Sequence, residues 1–114
     1  MSHPKVLDSP LYTMLRNDNV AGFNQEKPKS GTIDLVGGDF RGLDLRDLDV
    51  SRIDFTDAYF RSADLRGLDL SNTPMEGASI AHAQISGVFF PRELTADEIL
   101  MSVNFGTRLR YRTH

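Results

Sequence analysis

Between Ile33 and Arg92 the chain repeats every five residues, twelve times over, and that period rules out both regular ways of filling a domain core. Every fifth position from Leu35 holds Leu35, Phe40, Leu45, Val50, Phe55, Phe60, Leu65, Leu70, Met75, Ile80, Ile85 and Phe90, with no polar residue in the column. Two residues earlier in each unit stands a second column, Ile33 to Val88, that is small or apolar except at Thr73. An α-helix needs apolar residues at a spacing near 3.6 and a strand at 2, so a strict five fits neither over sixty residues.

A polygonal winding does fit. Each five-residue side points its central residue and the one two earlier inward, then turns a corner. Glycines 37, 42, 67, 77 and 87 share the corner column, where a positive φ is least costly without a Cβ. Stacked windings then pair backbone groups vertically at the ~4.8 Å strand spacing, so buried amides are satisfied between layers. Asp34, Asp39, Asp44, Asp49, Asp54, Asp64 and Asp69 sit just before the central residue, and Arg, Ser, Gly, Asp and Asn dominate the two places after it.

The units AYFRS and ADLRG, with the DLRDL-type units before them, resemble the A(D/N)Lxx motif of the pentapeptide-repeat protein family. The resemblance implies a mainly β fold, a right-handed quadrilateral β-helix with four units per turn, hence three coils with residues twenty apart in register. In that family the inner second position is usually small. Here Ile33, Leu43, Leu48, Ile53 and Leu68 are large, which predicts a local widening of the coil or a lean toward a neighbouring layer.

A solenoid needs atypical elements over its open ends, and both flanks read as helical. Ser9-Pro10 is an N-cap followed by proline at the first helical position, a second short helix runs from about Asn19 to Glu26, and residues 27–31 form a loop. Thr95 to Glu98 is a capping-box pattern opening a helix with Ile99, Leu100 and Val103 apolar, and Gly106 ends it. Arg108 to Arg112 alternates basic with apolar, as an extended segment does. The expected organisation is a helical cap and linker over 1–32, the repeat over 33–92, and a C-terminal helix with basic tail over 93–114, one folding unit overall. Ile99, Val103, Leu109 and Tyr111 are the candidate dimer segment.

At 114 residues a single domain can bury a core without staples. The absence of cysteine removes disulfides and thiolate chemistry and fits a reducing cytoplasm. Met1 to Leu11 shows no basic stretch leading into an apolar run, and no segment approaches the ~20 apolar residues a bilayer requires. A soluble, cytoplasmic protein is expected. Thirteen basic against sixteen acidic side chains argue against direct binding to a phosphate backbone.

No motif carries catalysis, a metal or a cofactor: His3, His82 and His114 are far apart, and the glycines lack a phosphate-loop pattern. The aspartate column has two readings, a DNA-like ladder of charge and a set of acceptors for corner amides. The second is the better supported, because Pro74, Ser79, Gln84 and Phe89 interrupt the ladder and residues 33–92 carry only ten acids against six arginines. Arg41 above Arg61 and Arg46 above Arg66 form two basic columns, and Tyr59 and Phe89 are outward aromatics, so these six are the candidate interaction surface. The function expected is a non-enzymatic, rigid module binding another protein, with homodimerisation through the C-terminal segment. The alternative is a DNA mimic that inhibits or protects a topoisomerase such as DNA gyrase.

Overall fold

The structure, a computed structural model, describes residues 4–112. Its elements are α1 (Pro10–Arg16), α2 (Val20–Glu26), β1 (Ile33–Asp34), β2 (Ile53–Asp54) and α3 (Ala96–Phe105). Between α2 and α3 each five-residue unit closes a β-turn in which the small-column amide donates to the preceding central carbonyl. Ala58 N–H donates to Phe55 O at 3.0 Å and Ala63 N–H to Phe60 O at 2.9 Å. The third residue of these turns adopts positive φ at Gly37, Gly42, Gly67, Gly77 and Gly87, as the glycine column predicts. Asp47, Arg52, Asp57, Ser62 and His82 adopt it too, at a cost of about 1 kcal/mol each that the surrounding ladder has to offset.

The ladder runs between residues twenty apart. Ile33 pairs with Ile53 and Asp34 with Asp54 in parallel. Isolated parallel bridges join Asp39, Tyr59 and Ser79 in one column, Asp44, Asp64 and Gln84 in the next, and Asp69 with Phe89. Typical rungs are Phe60 N–H to Ser79 O at 2.8 Å and Ser79 N–H to Ala58 O at 3.0 Å. The chain is thus β-helix-like, with layers 33–52, 53–72 and 73–92 in vertical register. The expectation of a mainly β protein is corrected in one respect: regular strand amounts to two dipeptides, and the three helices hold more residues. Each side is extended for only two or three residues before its turn, too short for pairing to accumulate into long strands.

Central residues fill the interior. Phe40 and Phe60 stack at 5.4 Å and 16°, Phe55 meets both edge-on at 5.3 and 5.0 Å, and Tyr12 of α1 adds its edge to Phe40 at 5.5 Å. Gly38 stands in the small column for a steric reason, since a Cβ there would lie 2.7 Å from the Phe40 ring.

On one side the first and second layers are not joined. Among the described residues no backbone hydrogen bond joins 47–51 to 66–71, where Leu48 lies above Leu68. The upper strand is held by α2 and the loop after it instead. Asn24 donates to Asp47 O at 2.9 Å and accepts from Asp49 N–H at 2.7 Å, acting as a side-chain rung. Lys27 Nζ, buried, donates to Asp49 O at 2.9 Å and Ser51 O at 2.6 Å. A groove of about 520 Å³ remains between the layers.

Both ends are capped as predicted. Ser9, Asn19 and Thr95 accept from the amides of Tyr12, Gly22 and Glu98, and Gly106 ends α3 in the left-handed region at φ 74°. Lys5 adds a rung above the first layer, accepting from Asp39 N–H at 2.9 Å, while the Tyr12 hydroxyl donates to Asp39 O at 2.8 Å. Below the third layer Ser102 Oγ accepts from Ile80 N–H at 3.0 Å, and Leu109 both accepts from Gly77 N–H at 2.7 Å and donates to Ala78 O at 2.8 Å.

Phe40→Ala should destabilise the protein by about 3–5 kcal/mol, since a fully buried ring shared by three aromatic neighbours leaves a cavity. Lys27→Met keeps the apolar stem but strips two carbonyls of their donor and should cost about 1–3 kcal/mol. Urea unfolding of each beside the wild type checks both, and a Lys27→Met chain as stable as wild type would remove the capping role.

Candidate interaction surface

The outer face is built from a repeated local device. In every unit with aspartate before the central residue, its Oδ1 accepts from the amide two residues on: Val36, Arg41, Arg46, Ser51, Thr56, Arg66 and Ser71 donate to Asp34, Asp39, Asp44, Asp49, Asp54, Asp64 and Asp69 at 2.9 to 3.2 Å. The carboxylate fixes the turn, which is the acceptor reading of the column.

Where arginine occupies the position two after the aspartate, the side chains clasp as well. Arg41 grips Asp39 through two bonds of 2.8 and 2.9 Å, Arg66 grips Asp64 at 2.9 and 2.7 Å, and Arg46 grips Asp44 at 3.0 and 2.7 Å while also reaching Asp64 at 3.2 Å. Three of the four candidate arginines are therefore engaged within their own or adjacent units. Arg61 follows Tyr59 instead of an aspartate, and among the described residues it has no ion pair. Like the other three it is exposed.

The clasps set the titration of the acids. The Arg46 hydrogen bonds hold the Asp44 carboxyl down at about 2, and Arg41 and Arg66 likewise lower Asp39 and Asp64. Hydroxyls of Ser51 and Ser71 lower Asp49 and Asp69. A carboxylate with a depressed native pKa contributes stability that is present above its unfolded value near ~3.9 and lost as pH falls through the native value. The melting temperature should therefore drop between about pH 4 and pH 2, and Asp44→Asn should flatten part of that slope; a melting temperature constant across this window would show that the clasps do not couple to folding.

The aromatic candidates diverge. Phe89 is 67% exposed. Tyr59 is half-covered by the C-terminal segment, with the Arg108 guanidinium 5.1 Å above its ring and donating to its hydroxyl. Arg108 also donates to Gly77 O at 2.9 Å. The outward contact expected of Tyr59 is thus largely met within the chain.

The candidate dimer segment is partly used within the chain. Leu109 is 1% exposed and forms its rung on the third layer, while Tyr111 is half-buried with its hydroxyl accepting from Met75 N–H at 3.0 Å. Ile99 and Val103 are half-buried against the core.

Exposed apolar residues absent from the sequence reading are Val6, Met101 and Phe105, and Leu100 lies 53% exposed instead of facing the core. His82 is an exposed turn corner; His3 and His114 lie outside the described residues. Among the described residues no group of three or more His, Asp or Glu side chains could hold a metal ion, and no helix is long and apolar enough to cross a membrane.

No curated protein and no solved structure matches the chain. Residues 53–90 match the family model for pentapeptide repeats in eight copies. The matched stretch begins at Ile53 and holds Ala58, Ala63, Ala78 and Ala83 in the inner second column, whereas the units over 33–52 carry Ile33, Leu43 and Leu48 there. With the five-residue turn and the twenty-residue register, this match identifies residues 53–90 as pentapeptide repeats.

Proposed function

We propose that the chain is a rigid, non-enzymatic protein-interaction module in the cytoplasm, built as a right-handed quadrilateral β-helix of three coils over 33–92 between caps over 1–32 and 93–114. The observation that carries this reading is the use of the charged side chains. Asp39, Asp44 and Asp64 are spent on turns and arginine clasps, while apolar side chains such as Phe89, Leu100 and Phe105 face solvent. Exposed aromatics and an uncommitted arginine are the residue types that anchor protein partners. Phe89 and Arg61 are the leading contacts, with Arg41, Arg46, Arg66 and Tyr59 available only if their internal pairs open.

The experiment is affinity capture from native cells with wild type beside Arg61→Glu and the double variant Arg46→Glu/Arg66→Glu. Loss of a specific partner with Arg61→Glu and retention with the double variant is the expected result. The reading fails if all three capture the same proteins as an unrelated control.

The alternative, a DNA mimic acting on a topoisomerase, draws support from the aspartate column. Mimicry needs free, stacked carboxylates, and three of these are neutralised at close range. A gyrase supercoiling assay is expected to show no change at micromolar protein, and inhibition or protection there would restore the mimic.

A further inference from the structure

The lower edge of the third layer is only half covered. Residues 107–111 lie along it on one side, α3 reaches its amides at Ile80 and His82, and beyond His82 the covering stops. Among the described residues the amides of Ile85, Gly87 and Phe90 and the carbonyls of Ala83 and Val88 have no hydrogen-bond partner. Their counterparts one layer up, Leu65, Gly67 and Leu70, donate to Gln84, Ser86 and Phe89.

Natural sheet edges left open are normally blunted by charge. This one is not: Gly77 to Pro91 contains no Asp, Glu, Lys or Arg, although the corresponding stretches of the two layers above carry several. At its centre Phe89 is 67% exposed, flanked by half-buried Val88 and Phe90.

The donor and acceptor pattern is complementary to itself. Phe89 spends its own N–H and C=O upward, on Leu68 O at 3.0 Å and Leu70 N–H at 2.7 Å, so Val88 O and Phe90 N–H are the groups left free on either side of it. An antiparallel copy of the same segment, related by a two-fold axis through Phe89, would receive Phe90 N–H on Val88 O and return the same bond. The two Phe89 side chains would then face each other as a non-hydrogen-bonded pair, the closer of the two antiparallel pair types. We infer that a second copy of this chain pairs along residues 88–90, burying Phe89 against its own equivalent and closing the open edge.

This goes beyond the interaction-module reading and competes with it for Phe89 alone: a monomer in solution removes the seam and returns Phe89 to the partner surface, while the Arg61 capture comparison reads the partner by itself. Sedimentation equilibrium should give twice the 12.8 kDa chain mass for wild type and the single mass for Phe89→Lys. A lysine there also supplies the edge charge that is missing. Because the chain has no cysteine, Phe89→Cys gives an independent readout. Opposed Cα atoms about 4.5 Å apart lie within disulfide reach, so mild oxidation should convert it to a covalent dimer while Gln25→Cys, on the opposite cap, stays uncrosslinked.

A wild type monomeric at all concentrations overturns the inference and would leave the edge to some other occupant, such as an extended peptide. A dimer that persists in Phe89→Lys, or a Phe89→Cys chain that crosslinks no better than Gln25→Cys, overturns it as well.

Discussion

Apart from the amides that close the turns, the interior amides of the repeat depend on carbonyls of the neighbouring layer, and most of the architecture follows from that dependence. A five-residue side is too short to satisfy its own backbone, so a layer is stable only against another layer. Phe40 above Phe60, with Phe55 edge-on to both, shows the same logic in the side chains: the ring contacts that exclude water run between layers as well as within them. The ends then have to be closed by something that imitates a layer. The chain does this with Lys5 and Leu109 as true backbone rungs, and with Asn24, Lys27, Tyr12, Ser102 and Tyr111 as side chains offering a donor or acceptor where a strand would.

The exterior answers to a second, local requirement. Turning a corner every five residues leaves one amide per turn directed outward, and aspartate two residues earlier accepts from it. Once placed, that carboxylate attracts the arginine of its own unit. Acidic and basic columns therefore arise as by-products of the turn, which is why the surface carries many charges but little net field. Among the positions that depart from aspartate, Tyr59 lies under the C-terminal segment and Phe89 stands exposed on the unpaired edge.

What could be read from sequence was what repeats or is local. The period fixed which residues point inward, the glycine column located the corners, and Ser9, Thr95 and Gly106 announced helix ends within a turn of themselves. Contacts between residues far apart in the chain left no periodic trace. Arg108 on Tyr59 spans 49 residues, and nothing in the alternation of the tail said whether Leu109 would face its own chain or another. The strand content was overestimated because parallel pairing was foreseen correctly while its length per side was not. Five non-glycine residues at corners show that tertiary pairing overrides local preference once neighbouring layers hold the turn.

The side where Leu48 overlies Leu68 shows how these requirements compete. Where Leu48 overlies Leu68 the first and second layers share no backbone rung, and the backbone of 47–51 takes Asn24 and Lys27 as substitutes for the partners it lacks below. On the same side the second and third layers remain paired through Leu68, Leu70 and Phe89, so the defect does not propagate. That containment is what nearest-neighbour coupling implies: a layer responds to the one beside it and is indifferent to the next. The first layer is accordingly tied more closely to its helical cap than to the rest of the stack on this side. Between the first and second layers, opening should therefore begin there, because fewer ladder bonds need to break.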